Sequence, residues 1–411
     1  MLFLLACRAA VVPSGSAVTG WDDPRDTAAD PVEDVGGDSA EDSGTEIDDP
    51  TACNKLYDAD LFPRFELTIS DETWAAFGED YASWEARLAA GEEVKPWHPL
   101  DAFRYEDEVV TDAQIRLKGN PCCSWVGNKY QWVIAFNETD RTGRFHGLRE
   151  ISLDQPYYEP SFLRERTALA WNRDLGLPAS CANNAEVWVN GALFGLYTNI
   201  ETVDKEFLQR NFGDAGAEGN LYKYDWTMQA WEQKTGDGDF SDLTAFFDTY
   251  DAEEQEELWD LDEAMLEWAA EAAAPDWDGY WSGSINFMLY HHPDRGWMMI
   301  PWDQDYAFFV GTDMLPAWRQ DYYGLTLHLD VVLADATLRD RYLSAFKEVI
   351  GAYDVATFES RVDEWTAQVD DVARADPNKG FTDAQYVASR NELRAFFATR
   401  QAFLSNWADR H

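Results

Sequence analysis

Positive charge is what this chain has least of. Its 32 Lys and Arg face 77 Asp and Glu, a net −45 at pH 7. Such a field excludes general affinity for DNA, RNA or an anionic lipid surface, and an anionic ligand needs a local cluster of cations to overcome it. Histidine is also scarce, at 6 residues, and no CxxC or HxxxH spacing supports a zinc site. Beyond the first residues, no run approaches the ~20 apolar residues of a membrane span. Aromatic side chains, in contrast, are plentiful: 15% of the chain, with 19 Trp. They argue for an ordered globular protein, and 411 residues can bury the core of one large domain or two smaller ones. Most of the Trp fall in helix or strand patterns at core positions rather than on a sugar-stacking platform.

The start, "MLFLLACRAA", resembles the end of a bacterial lipoprotein signal, with Leu4-Leu5-Ala6-Cys7 as lipobox and Cys7 as the lipidated residue. From Pro13 to Ala52 the chain is Asp, Glu, Gly, Ser, Thr and Pro with almost no large apolar group. That composition cannot bury enough surface to order itself, so residues 8–52 read as an acidic tether. The expected context is extracytoplasmic, at a bacterial surface or envelope, and therefore oxidising. Membrane contact is expected only through the lipid anchor at Cys7.

The remaining cysteines are Cys53, Cys122, Cys123 and Cys181, and four cysteines allow three pairings. A vicinal Cys122–Cys123 bridge is strained. The two remaining pairings tie Cys53 and Cys181 to the 122–123 loop.

Leu61 to Ser70 alternates like an edge strand, with Pro63 suited to an edge. Asp71 to Ala90 reads as a helix with Asp71 as N-cap. "AFRYEDEVV", "AQIRLK" and "YQWVIAF" are strand-like, and the last two flank the loop "GNPCCSWVGNK". "PSFLRERTALAWNRDLG" is an amphipathic helix capped by Ser161 and stopped by Gly176. In "AEVWVNGALFGLYTNI", Asn190-Gly191 predicts a type I′ hairpin. After "NLYKYD" the pattern is helical through Ala274. A second hairpin, "INFMLYHH", "PDRG", "WMMIPWDQD", follows, with His291 and His292 expected at the surface. Leu325 to His411 is helical again. Strands first, helices later and one embedded hairpin describe an α+β protein of two lobes.

Two regions carry chemistry. Between Gln114 and Arg173 nine Lys or Arg meet six acids, a local +3 inside a strongly acidic chain. A Gly-bearing loop with a lysine on the following strand suits a nucleotide phosphate, because backbone N–H groups approach the oxygens and the lysine adds a point charge. Glu165, on the next helix, can pair with such a lysine. The acidic region supplies Asp276, Asp278 and Asn286, then Asp303 and Asp305 inside the apolar run "PWDQDYAFF". One of these groups can orient or deprotonate a hydroxyl while others hold Mg²⁺ on ATP, and oxygen ligands suit that hard cation.

The ordered series "RLKGN", "RFHGLREISL", "FLRERTALAWNRDLGLPA", "VWVNGALFGLYTNIETVDKEFLQRNF", "GNLYK" and "PWDQD" resembles the CotH (spore-coat protein H-like) atypical kinase family. The likeness runs from about Leu61 to Phe309. It implies a divergent two-lobed protein-kinase-like fold, with a strand-rich N-lobe over 53–200 and a mostly helical C-lobe over 201–411. It further implies ATP and Mg²⁺ as cofactors, and Ser/Thr phosphorylation of a secreted or cell-surface protein. By position, Lys118 and Lys129 become candidates for phosphate contact, and Glu165 the lysine partner. Glu201 falls on the segment joining the lobes. Asp278 becomes the catalytic aspartate, with Asn286 and Asp303 as metal ligands and Asp305 in support. Lys118 against Lys129, and Asp276 against Asp278, stay open at this level. The family's Gly-Asn-Ser-Ser loop is replaced here by "GNPCCSW", where proline removes an N–H from the phosphate cradle. A non-catalytic surface protein with a structural metal site is the alternative expectation.

Overall fold

The computed structural model describes residues 52–121, 124–125, 129–155, 158–225, 227–236, 238–283, 285–309 and 324–411. The lipobox, nearly all of the acidic tether, and Cys122 and Cys123 lie outside the described residues.

The first half of the chain is strand-rich. It runs β1 (Arg64–Thr68), α1 (Asp71–Ala90), β2 (His98–Pro99), β3 (Ala102–Tyr105), β4 (Glu108–Val110), β5 (Gln114–Leu117), β6 (Trp132–Ala135) and β7 (Glu150–Asp154). Next come α2 (Arg164–Asp174), β8 (Ala182–Val189), β9 (Ala192–Ile200), α3 (Lys205–Gly216), β10 (Asn220–Asp225) and β11 (Ala230–Thr235). Helices α4 (Ser241–Asp248), α5 (Gln255–Leu258) and α6 (Leu261–Ala273) precede β12 (Phe287–His292) and β13 (Gly296–Pro301). The chain finishes on α7 (Leu327–Ala334), α8 (Ala336–Ala352), α9 (Val355–Ala375) and α10 (Asp383–Ala408).

Among the described residues the strands form a nine-stranded sheet, ordered β2-β5-β6-β7-β9-β8-β1-β3-β4, and a four-stranded sheet, β11-β10-β12-β13. The architecture is α+β. The β8–β9 hairpin forms as expected, with Asn190 and Gly191 both at positive φ (50° and 82°), the geometry a type I′ turn requires. Asn190 also exchanges two side-chain hydrogen bonds with the main chain of Ile69, at 2.9 Å each, which ties the turn to β1. The β12–β13 hairpin forms as well.

Several expectations are corrected. β1 is interior, parallel to β8 and antiparallel to β3. Pro63 precedes the ladder, so its missing N–H disturbs nothing, and its carbonyl accepts from Glu186 N at 2.9 Å. Ser70, not Asp71, caps α1 by accepting from Thr73 N. At α2 the Glu159 carboxylate replaces Ser161 as cap, taking the N–H groups of Ser161, Leu163 and Arg164. The stretch after Asp225 is not helical at once: β11 pairs back on β10, with Tyr224 and Trp231 rings 5.5 Å apart. His292 is buried, and its Nδ1 accepts from Asp294 N within the hairpin turn.

The disulfide joins Cys53 to Cys181, with Cα atoms 5.8 Å apart, so neither cysteine is tied to the 122–123 loop. The cause is packing. Asn183 and Asn199 donate to the carbonyls of Leu56 and Asp58, pulling the segment after Cys53 onto the start of β8, where Cys181 sits.

α6 lies against α8 and β13 and points Glu263, Glu267 and Glu271 inward at helical spacing, 9%, 2% and 4% exposed. Burial, reinforced by Asp260 and opposed by the Met299 N–H, raises Glu263 to about 8 from an ordinary 4.5. Burial and then Glu263 push Glu267 well up too. These groups are protonated in the fold yet ionised in the unfolded chain over that window. Folding therefore takes up protons, and stability present in full below the unfolded value is lost as pH rises toward 8. Glu263→Gln should flatten this loss by about 2 kcal/mol between about pH 5.5 and 7. Urea titrations of both proteins across that range check it, and an unchanged pH slope would refute it.

Candidate functional site

The apolar cluster built on α6, α8, α10 and the second hairpin takes in Ala168, Ala170 and Trp171 of α2 together with Ala307 and Phe308, so α2 packs beside the segment 301–309. At this junction five segments bring together charged side chains.

Lys118 follows β5 and Asp154 ends β7. β6 lies between these strands and aligns Leu117 with Trp132 and Trp132 with Leu153. Lys118 and Asp154 thus emerge at the same end of the two strands that flank β6, and they form an ion pair with both side chains largely buried. The turn beyond needs Gly119, whose φ is +82° and whose Cβ would strike Ser124 at 2.5 Å. Across the junction, Glu165 lies in the first turn of α2, buried, where the helix dipole favours an anion. Its carboxylate accepts the Gln304 backbone N–H.

The segment after β13 is held against α2 at three further points. Asn172 donates to Gln304 at 2.8 Å, and Arg164 donates to the carbonyls of Ala307 and Phe308 at 3.1 and 2.6 Å. So held, Asp303 adopts φ +57°, and Phe162 and Phe308 also take positive φ, sparsely populated conformations that persist only where surrounding contacts enforce them. One oxygen each from Asp154, Glu165 and Asp303 then lie within 4.8 Å of one another. Asp154 Oδ1 is buried with no hydrogen-bond partner.

The electrostatics follow from crowding. Burial raises Asp154, with Lys118 opposing and Asp303 adding to the rise. Glu165 is pushed well up by burial, then by Asp154 and Asp303. Asp305 is pushed well up by burial, then by Asp303 and Asp278. Burial works against the Lys118 ammonium, but Asp154, Asp303 and Glu165 outweigh it and hold Lys118 above its ordinary value. Lys118, with Lys223 on β10 also in electrostatic reach of Asp154 and Asp303, stands among more carboxyl groups than two ammonium groups balance, an excess that a divalent cation would neutralise. The orphaned Asp154 oxygen and the all-oxygen donor set fit a hard cation.

Asp278 reaches the same junction through a loop that closes on itself: its carbonyl accepts from Ile285 N and Asn286 N at 3.2 and 3.3 Å. This closure brings Asn286 back despite the long sequence step. The Asn286 amide donates to the Asp303 carbonyl at 3.3 Å and to the Asp278 carboxyl. Asp276 and Asp278 hydrogen-bond each other, and burial followed by Asp276 holds Asp278 well above the carboxylate range.

Two expected phosphate-region residues are placed elsewhere. Lys129 is 1% exposed and donates to Asp376 at 2.7 Å and to the Leu196 carbonyl. Gly195 makes that approach possible, since a Cβ there would lie 2.5 Å from Asp376. Glu201 accepts from Arg210 at 2.6 Å and from Cys181 N at 2.9 Å, beside the disulfide. Asp305 and Asn286 stand at the junction but outside the three-carboxylate group. Asp154, and Lys223 with its ammonium 4.6 Å from the centroid of the Trp302 ring beside Lys118, were not expected. "ISLD" does carry the available signal, a carboxylate closing a buried strand, as "PWDQD" does. Lys223 sits mid-strand in an aromatic alternation that reads as structural.

The family model described as CotH kinase protein matches residues 115–404. Inner spore coat protein H of Bacillus subtilis is 26% identical over 258 residues, covering 57% of this chain and 66% of that protein. Invasin CotH3 of Rhizopus delemar is 24% identical over 221 residues, covering 44% of this chain and 34% of that protein. The chain thus spans less than two thirds of the length of either relative.

Proposed function

The chain belongs to the CotH kinase protein family, and on that premise we propose that it transfers the γ-phosphoryl group of ATP to a Ser or Thr hydroxyl of a secreted or surface protein. The observation that carries this reading is the convergence of Asp154, Glu165 and Asp303 oxygens beside the Lys118 ammonium. Those three carboxylates would hold Mg²⁺, which when bound neutralises phosphate charge.

The chain's own residues supply the rest. Lys118, fixed by Asp154, presents a point charge to the phosphates. Asp278, held by Asn286 and paired with Asp276, orients the incoming hydroxyl and, in its ionised form, receives its proton. The hydroxyl oxygen bonds to the γ-phosphorus, the bond to the β-phosphate oxygen breaks, and ADP leaves. Positioning and charge compensation carry such a transfer. In this reading residues 53–200 form the strand-rich lobe and 201–411 the helical one, with Lys118 and Asp154 contributed by the first and Asp278 and Asp303 by the second. The names of the relatives, a spore coat protein and an invasin, support a site of action outside the cytoplasm. Among the described residues no helix is long and apolar enough to cross a membrane.

Purified protein given γ-labelled ATP and Mg²⁺ should label itself or an added unfolded acceptor protein. Its melting temperature should rise with ATP and Mg²⁺ together, as mass action requires. A protein stabilised by Ca²⁺ alone and incorporating no label would instead be a surface scaffold with a structural ion.

A further inference from the structure

The cations at the junction are not equally committed. Lys118 is paired with Asp154, and Lys95 lies 3.4 Å from Asp225. Arg164 is spent on Glu159 and two main-chain carbonyls. Lys223, the fourth, forms no ion pair among the described residues. Its cross-strand neighbour Glu232 is taken by Lys234 at 3.0 Å. Lys223 lies instead over the Trp302 ring, 4.6 Å from its centroid, and the Lys118 ammonium lies over the same ring at 5.0 Å.

A half-buried ammonium without an anion is a costly arrangement, and one aromatic face offsets only part of that cost. Burial, Lys95, Lys118 and Lys234 work against its charge, Asp303 favours it, Asp154, Asp225 and Glu232 lie in electrostatic reach without closing on it, and Lys223 falls to about 8. Its position is rigid, because β10 is hydrogen-bonded on both sides, with Lys223 opposite Glu232 on β11 and Met288 on β12. The sequence step from Trp302 to Asp303 then sets this free cation directly beside the carboxylate group.

We propose that Lys223 is a second phosphate-binding residue, which clamps the phosphoryl groups of the nucleotide together with Lys118 over the Trp302 ring. The incoming anion supplies the partner that the protein withholds. This inference rests on the kinase reading and deepens it: Lys118 is ion-paired with Asp154 before any ligand arrives, so Lys223 provides the ammonium that no carboxylate has closed on. In a chain of net −45, that charge is what lets a polyanion enter.

The test is calorimetric titration of ADP and of adenosine, both with Mg²⁺, into wild type, Lys223→Met and Lys223→Arg. Expected is a loss of about 10- to 100-fold in ADP affinity for the methionine variant, the size of a charge-assisted hydrogen bond. Adenosine affinity should not change, and arginine should restore most of the loss. If Lys223→Met binds ADP as wild type does, the inference is overturned and the kinase reading stands. An equal loss for ADP and adenosine overturns it too, since it would report pocket shape rather than phosphate contact. A wild type that binds neither ligand overturns both.

Discussion

Asp303→Asn should lower phosphoryl transfer by about 1,000-fold while raising the melting temperature of the ligand-free protein. The two effects share one cause. Asp303 repels Asp154, Glu165, Asp278 and Asp305, adding to the upward shift of each. That repulsion works against the fold in the absence of a cation and is relieved by an uncharged amide of the same shape. The same substitution removes one of three converging oxygen donors, and transition-state charge compensation at such sites is worth about 100- to 1,000-fold or more per group. Steady-state rates with labelled ATP and thermal melts without metal give the two readouts. A variant that keeps its rate would remove the carboxylate group from the mechanism. A variant that loses both rate and stability would give Asp303 a structural role instead.

Lys129→Met should cost about 3–5 kcal/mol of stability and leave ADP affinity intact. The substitution strips the Asp376 carboxylate of its charged partner in a fully buried setting, the situation in which breaking an ion pair is most damaging. Asp376 would keep only the N–H groups of Leu196 and Asn378, and the loop joining α9 to α10 would lose its charged tie to Lys129. Lys118→Met should show the opposite pattern, with nucleotide affinity lost and a smaller change in stability. Denaturant unfolding and ADP titration of both variants separate the lysines. Loss of ADP binding without loss of stability in Lys129→Met would transfer the phosphate role back to Lys129.

That pair of lysines illustrates what one-dimensional reading can and cannot resolve. Both flank the same loop, and both have the spacing a phosphate site requires. What separates them is the partner each meets: Asp154 is 36 positions from Lys118, and Asp376 is 247 positions from Lys129. The disulfide carries the same lesson. Strain argues against a vicinal bridge, but the crossed pairings depended on where the 122–123 loop would lie. The contacts of Asn183 and Asn199 with the segment after Cys53 decided otherwise. β11 was hidden because "AWEQKT" alternates only weakly and gains its strand character from pairing with β10. Hairpins were readable because turn residues impose their φ locally, as Asn190 and Gly191 do.

The sequence by itself determined the α+β class, both hairpins, the helical C-terminal run, the strongly acidic character, and the family to which the chain belongs. Each follows from local backbone preference, from total charge, or from the order of short motifs along the chain. Only the tertiary structure decided that Lys118 rather than Lys129 faces the acidic residues, that Asp154 completes their oxygen set, and that Lys223 stands over Trp302 without a carboxylate of its own. Ion pairing acts through space and falls off within a few ångströms, so residues far apart in the chain acquire such roles only when sheets and helices have set them side by side.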